Sequence, residues 1–147
     1  MLKIMSKTGP IIIIEDDEDD KHIFETIVRE LGYKNLIIWH ENTDQTFDYL
    51  CNTTDSPFVI FSDVNLPRMN GLDFKKKIDD VPELRKKSIP YIFYSTSANQ
   101  HDVNTAYTQM TIQGFFKKEN DYETMKKNIK LILEYWSVCR HPNLNVF

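Results

Sequence analysis

The chain has 147 residues, of which 41% are hydrophobic and 27% are charged, and its formal net charge is −4. This length and composition suit one globular domain with a sizeable core and exclude an intrinsically disordered segment. The negative charge argues against nucleic acid as the main partner, because phosphate binding requires a basic face.

No apolar segment has the length of a signal-peptide core, and none approaches the ~20 residues that a membrane span requires. The two cysteines, Cys51 and Cys139, lie far apart and in no metal-ligand spacing. This pattern suits a reducing compartment better than a disulfide scaffold. We therefore expect a cytoplasmic protein without membrane insertion.

Five short apolar runs predict β-strands. They are rich in β-branched and aromatic residues and show little alternation between apolar and polar positions. Strands that are buried on both faces have this composition, as in a parallel sheet covered by helices. The runs lie at residues 11–14, 36–40, 58–62, 91–95 and 114–116.

Five segments between and after these runs carry apolar residues at helical spacing. The clearest is the last, in which Tyr122, Met125, Ile129, Ile132 and Trp136 repeat at steps of three and four. Strands that alternate with helices predict an α/β fold, with a doubly wound five-stranded parallel sheet and helices on both faces. The other four helical segments fall near residues 23–31, 47–51, 72–78 and 99–110.

We expect residues 11–136 to form this domain. Residues 1–10 then form an N-terminal extension, and residues 137–147 form a C-terminal tail, because they contain Pro142 and show no clear period. No room remains for a second folded domain.

Acidic residues follow two of the predicted strands directly. Glu15 and Asp16 come after the first strand and Asp63 comes after the third. Ligands of open α/β sheets bind at the carboxyl ends of strands, where these groups would meet. Two like charges ~4 Å apart repel by about 4 kcal/mol at an effective dielectric constant near 20. Such a cluster must take up protons, spread apart or hold a cation, and Mg²⁺ suits its oxygen ligands best.

Other polar residues stand at the ends of the remaining strands. Ser95 ends the fourth strand and supplies a hydroxyl, and Lys118 follows the fifth and supplies an ammonium group. The loop 63–74 contains Pro67 and Gly71 and can wrap the site. The acids at 17–20, in contrast, are expected to be a solvated helix start, where the helix dipole favours negative charge.

The stretch FVIFSDVNLPRMNGLDF, residues 58–74, resembles the phosphoacceptor strand and loop of response regulator receiver domains, the CheY-like family. The resemblance extends over residues 11–136. It implies the flavodoxin-like fold with strand order 2-1-3-4-5, in a stand-alone, single-domain receiver.

The resemblance also implies a role for each site residue. Asp63 matches the phosphoacceptor, Asp16 a direct metal ligand, and Glu15 a metal ligand that acts largely through water. Asn65 matches the position whose backbone carbonyl binds the metal.

Ser95 and Lys118 match the hydroxyl and the lysine that bind the phosphoryl oxygens. Ser95 and Phe115 match the two switch positions. The sequence departs from the family at Glu119, which stands where a proline usually follows the lysine. The loop after the fifth strand is therefore open to another shape, and Lys117 becomes a minor alternative for the lysine role.

The function implied by the resemblance is that of a phosphoacceptor in a two-component system or phosphorelay. A histidine kinase or phosphotransfer protein would donate a phosphoryl group to Asp63 in a Mg²⁺-dependent reaction. A protein-interaction surface, centred on the last helix, would then switch. The protein would catalyse only its own phosphorylation and dephosphorylation, so it is not expected to be an enzyme. Its downstream target is unknown, and a homodimer stays open.

Two alternatives fit parts of the sequence. A receiver-like binding module that is never phosphorylated would lack an acid, the hydroxyl or the lysine; none is lacking, and only the missing proline favours it. A small Mg²⁺-dependent phosphohydrolase would need a second acid two residues after Asp63, as general acid for the leaving group. Asn65 stands there instead.

Overall fold

A computed structural model describes residues 5–142 of the chain. Within this range the chain forms five β-strands, whose ends agree with the predicted runs to within one residue. The strands are β1 (Ile11–Ile14), β2 (Ile37–His40), β3 (Val59–Ser62), β4 (Tyr91–Ser95) and β5 (Gly114–Lys117).

All neighbouring strands are parallel, and their order in the sheet is β2-β1-β3-β4-β5. The predicted fold class and strand order are therefore confirmed. In the register, Ile14 lies opposite both His40 of β2 and Ser62 of β3. The residues that follow these three strands consequently emerge side by side at the carboxyl edge of the sheet.

The described residues also form seven α-helices, five of which correspond to the predicted amphipathic segments. The sequence predicts neither α1 nor α5, because a helix of four residues is too short to show a helical period. The helices are α1 (Met5–Thr8), α2 (Glu18–Glu30), α3 (Thr43–Asn52), α4 (Gly71–Asp80), α5 (Pro82–Arg85), α6 (Gln100–Gln109) and α7 (Tyr122–Val138).

Each of the five longer helices begins at an aspartate or asparagine whose side chain accepts a hydrogen bond from a backbone N–H of the first turn. This bond satisfies one of the donors that a helix start leaves unpaired. These N-cap residues lie close to the carboxyl ends of the strands and fix where each helix starts. They are Asp17, Asn42, Asn70, Asn99 and Asp121.

Two apolar cores cover the two faces of the sheet. Side chains alternate between the faces of a strand, so Ile11 and Ile13 of β1 pack with α2 and α7. Ile12 and Ile14 pack with α3, α4 and α6 on the other face. All four isoleucines are buried, which is why this run shows no polar alternation.

The chain on either side of the predicted domain also packs against it. α7 ends at Val138, two residues beyond the predicted end of the helix. His141 is buried, and its Nε2 lies 2.6 Å from the backbone oxygen of Phe58. Lys7 donates a hydrogen bond to the backbone oxygen of Ser137 over 2.9 Å. The remainder of the predicted extension and tail, residues 1–4 and 143–147, lies outside the described residues.

Candidate functional site

The acids at the ends of β1 and β3 form one cluster, as the sequence predicts. The Asp63 N–H donates to the Ile14 backbone oxygen over 3.0 Å, which continues the β1–β3 pairing past the strand ends. Carboxylate oxygens of Glu15, Asp16 and Asp63 all lie within 4.8 Å of one another. Glu15 and Asp63 are buried, while Asp16 is exposed, so the cluster opens to solvent on one side.

The Asp63 carboxylate is held in place mainly through one of its two oxygens. Oδ1 accepts hydrogen bonds from the Val64 N–H at 2.7 Å, the Ser95 hydroxyl at 2.6 Å and the Asn65 N–H at 3.3 Å. Oδ2 lies 3.4 Å from Nζ of Lys118. Oδ2 is therefore the less constrained oxygen of a carboxylate whose orientation is already fixed.

Lys118 brings the only ammonium group that contacts this cluster among residues 5–142. Its Nζ contacts a Glu15 oxygen, lies 3.1 Å from Asp20 Oδ2 and lies 3.4 Å from Asp63 Oδ2. Its N–H donates to the Ser95 backbone oxygen over 2.9 Å, which continues the β4–β5 pairing with Glu119 as the next residue. Burial lowers the pKa of Lys118, but Asp63 and Glu15 outweigh burial and raise the pKa above its usual value.

The pKa of Glu15 is also raised, but here burial is the main cause. Burial raises the pKa of its carboxyl group from 4.5 to about 7, although the ion pair with Lys118 lowers it; the charge of Asp63 adds to the rise. A carboxylate in this position is costly because it lacks solvation and faces a like charge. A positive charge added beside it would lower this cost.

The net charge of the cluster indicates what it can bind. Lys118 provides one positive charge against the carboxylates of Glu15, Asp16, Asp20 and Asp63. The surplus is negative, and all the ligand atoms on offer are oxygens. Hard divalent cations such as Mg²⁺ bind to such sets and keep several waters as further ligands. The residues present therefore fit a divalent cation.

Asp20 is the contact that sequence reasoning missed. It was expected to be part of a solvated helix start, yet its carboxylate lies 3.1 Å from Lys118 Nζ. Asp17 is the N-cap of α2, so Asp20 stands in the first turn, four residues after Asp16. Asp16 precedes this N-cap and is not helical, so no helical spacing links the two residues, and the sequence offers no signal that separates Asp20 from the other acids of this turn.

The two predicted switch residues, Ser95 and Phe115, differ in burial and in their contacts. Ser95 is fully buried, and its hydroxyl already points at Asp63. Phe115 is half-buried, and its ring centroid lies 5.5 Å from that of Phe93.

Among residues 5–142, no helix is long and apolar enough to cross a membrane.

A parallel sheet in the order β2-β1-β3-β4-β5, with an acidic cluster and a buried lysine at its carboxyl edge, defines the class of phosphoacceptor signalling domains. Residues 11–130 match the response regulator receiver domain family, and the chain belongs to this family. This match and the acidic cluster support a phosphoacceptor signalling role.

Three individual proteins illustrate this similarity. The chemotaxis protein CheY-3 of Vibrio cholerae is 27% identical over 136 residues, which cover 91% of this chain and 98% of that protein. The phosphorylated cyanobacterial phytochrome response regulator RcpA superposes with a TM-score of 0.80 at 22% identity, covering 90% of this chain and 97% of its own. The Mn²⁺-bound form of response regulator Rcp1 superposes with a TM-score of 0.78 at 20% identity. The superposition covers 90% of this chain and 98% of that protein.

Proposed function

We propose that Asp63 is the residue that accepts the phosphoryl group. The observation that carries this proposal is the set of contacts at its carboxylate: a buried, oriented Asp63 lies between the Ser95 hydroxyl and the Lys118 ammonium group. In-line phosphoryl transfer depends mostly on positioning and on stabilising negative charge. The fixed orientation of the Asp63 carboxylate supports the first requirement, and Lys118 together with a bound cation would meet the second.

The metal in this proposal is Mg²⁺, held by Asp16, Asp63 and the backbone carbonyl of Asn65, with Glu15 acting through water. The geometry of the carboxylates and the Mn²⁺-bound relative support a divalent ion here. Bound Mg²⁺ would neutralise charge on the carboxylate and on the phosphoryl oxygens. Asp16 is exposed, so the site is open to solvent on the side from which a phosphoryl donor would approach.

The reaction forms one bond and breaks one. A carboxylate oxygen of Asp63 bonds to phosphorus while the bond from phosphorus to the donor breaks, and the donor leaves with the electron pair. Lys118 and Ser95 bind the equatorial oxygens, for which the Ser95 hydroxyl exchanges its bond to Asp63 Oδ1 for one to the phosphoryl group. Water later hydrolyses the acyl phosphate, which releases inorganic phosphate and restores the carboxylate.

The donor in this proposal is a histidine kinase or a phosphotransfer protein, and the protein catalyses only its own phosphorylation and dephosphorylation. The new group carries about −1.5 to −2 charges. As Ser95 turns to this group, the space beside Phe115 changes, and the face formed by α6, β5 and α7 repacks. A protein target would bind the altered face with a different affinity. Coupling free energies of ~1–3 kcal/mol between two sites are typical of such switches.

Acetyl phosphate labelling tests the proposal. The full chain is incubated with acetyl phosphate and Mg²⁺, and intact mass is expected to show one added phosphoryl group. Asp63→Asn should abolish the label, while Asp80→Asn, which changes an exposed acid of α4, should leave it unchanged. Labelling of Asp63→Asn equal to that of the parent, or labelling that persists in EDTA, contradicts the proposal. A folded, Mg²⁺-binding protein that takes no label favours the binding-module alternative.

A further inference from the structure

A cavity lies at the amino end of the sheet, opposite the acidic cluster. It has a volume of about 330 Å³ and lies beside the starts of β3 and β4, enclosed by α4, α5 and the end of α7. One wall is apolar and includes Ile60, Ile78, Leu84 and Trp136. A volume of roughly 300 Å³ or more is in the range of small-molecule sites, and none of the residues that handle the phosphoryl group lines it.

The floor of this cavity contains a buried lysine. Lys75 is only 6% exposed, and its Nζ donates to Asp79 Oδ1 at 2.7 Å and to the Thr111 hydroxyl at 3.1 Å. It also lies 5.3 Å from the ring centroid of Tyr91. An ammonium group has three hydrogens, so one remains for a ligand after these two bonds among the described residues.

Both oxygens of Asp79 already accept hydrogen bonds, Oδ1 from two donors and Oδ2 from one. Oδ2 accepts from the Thr111 N–H at 2.7 Å, and Oδ1 accepts from the Thr111 hydroxyl at 2.9 Å as well as from Lys75. Gln113 also lines the cavity; its side-chain oxygen accepts from the Tyr91 N–H at 2.7 Å.

Two more positive charges stand at the end of α5 and in the loop that follows it. Arg85 and Lys87 line the cavity, and Ser88 between the loop and β4 has φ 52°, a left-handed conformation that is costly for a residue with a side chain. Strain of this kind concentrates at functional sites. Burial lowers the pKa of Lys75, the Asp79 pair opposes this, and the charge of Arg85 lowers the pKa further. An anion in the cavity would relieve the repulsion between these cations.

We propose that this cavity binds a small organic anion that carries one carboxylate or phosphate group on a short apolar body. The anionic group would contact Lys75, Arg85 and Lys87, and the apolar body would pack against Ile78 and Leu84. Three positive side chains against the single carboxylate of Asp79 leave a net charge that selects an anion. This site is separate from the phosphoacceptor site, and its occupancy requires neither Mg²⁺ nor phosphorylation.

A titration of the ¹⁵N-labelled full chain with sodium hexanoate tests the proposal by NMR. We expect saturable shifts of the backbone amides of Ser88, Thr111 and Gln113. 1-Hexanol supplies the apolar body alone and inorganic phosphate supplies the charge alone. Each is expected to bind at least about tenfold more weakly than hexanoate, because hexanoate combines a charge-assisted hydrogen bond with apolar burial.

Matched variants locate the binding charge. Arg85→Gln combined with Lys87→Gln should weaken hexanoate binding about tenfold or more, the usual effect of losing hydrogen bonds to a charged group. Lys86→Gln removes an exposed charge that does not line the cavity, so it should change the Kd by less than about twofold. The proposal is wrong if hexanoate gives no saturable shifts, if hexanol or phosphate binds as tightly, or if Lys86→Gln weakens binding as much as the double variant.

Discussion

The two ends of the sheet each contain a buried lysine, and the two lysines have opposite surroundings. Lys118 at the carboxyl end contacts Glu15, Asp20 and Asp63. Lys75 at the amino end pairs with Asp79 alone. These are the two lysines that are buried among residues 5–142. The comparison shows that burial of a lysine does not by itself indicate a reactive site; the balance of charge around it does.

At the amino end the Lys75–Asp79 pair is balanced within itself and serves to join elements, and the surplus positive charge of that region comes from Arg85 and Lys87. Asp79 of α4 holds Thr111, which precedes β5, through two hydrogen bonds in addition to the ion pair. At the carboxyl end negative charge is in surplus and one acid, Asp16, faces water. The first arrangement supports the fold, and the second has a surplus of negative charge that a bound cation would neutralise.

The largest expected effect comes from breaking the balanced pair. Lys75→Met leaves the Asp79 carboxylate buried without its counter-charge, and loss of one partner of a buried ion pair costs about 3–5 kcal/mol. The free energy of unfolding, measured by urea denaturation followed by circular dichroism, should fall by that amount. Lys76→Met, at the exposed neighbouring position, is the control and should change it by less than about 0.5 kcal/mol. Equal effects of the two variants would show that the Lys75–Asp79 ion pair does not contribute to the free energy of unfolding beyond an exposed lysine.

The next effect concerns the unbalanced end. Mg²⁺ at about one hundred times its Kd should stabilise the protein by about 2.7 kcal/mol, because only the folded state presents the site. Asp16→Asn should remove most of this gain, whereas Asp19→Asn, an exposed acid of the same helix start, should keep it. Urea unfolding with and without Mg²⁺ measures both. If Asp16→Asn is stabilised as strongly as the parent, the cluster is not the metal site.

The smallest effect is a pH dependence in the absence of metal. The pKa of Glu15 is raised from 4.5 to about 7 in the folded protein, so the folded state binds its proton more tightly than the unfolded state. Its contribution to stability is complete below pH 4.5 and is lost as the pH rises to about 7. The loss should be on the order of 1–2 kcal/mol after allowance for solvent screening.

Glu15→Gln should flatten this part of the stability profile, measured by urea unfolding in EDTA between pH 4 and 8, while Glu18→Gln at the exposed start of α2 should not. A parent protein that gains stability over this interval relative to Glu15→Gln would overturn the assigned direction of the shift.

The sequence predicted the carboxyl end of the sheet far better than the amino end. Strand residues are buried on both faces, so their composition alone reveals them. Polar residues that directly follow neighbouring parallel strands lie together at one edge of the sheet. Lys75 carries no such signal. It stands in a run with Lys76 and Lys77 that reads as one solvated patch, and only the packing of α4 decides which of the three is buried.

The sequence also does not predict the residues that contact Lys75 and His141. Thr111 is 36 residues from Lys75 along the sequence, and no local pattern links them. His141 follows the last helical period, yet it is 3% exposed because it packs against Phe58. Contacts of this kind depend on the finished fold, and for that reason periodicity and strand-end reasoning do not reach them.

Gly71 has a consequence for how a change at Asp63 would spread. A Cβ atom at this position would lie 2.1 Å from the Asp63 backbone oxygen and 3.1 Å from the Ser62 hydroxyl, so only glycine fits without displacement. The first residue of α4 therefore packs directly against the Asp63 backbone, with no side chain between them. Any displacement of that peptide would act directly on the start of α4, whose middle carries Lys75 and whose last turn carries Asp79, so this helix would pass the displacement toward the amino end of the sheet.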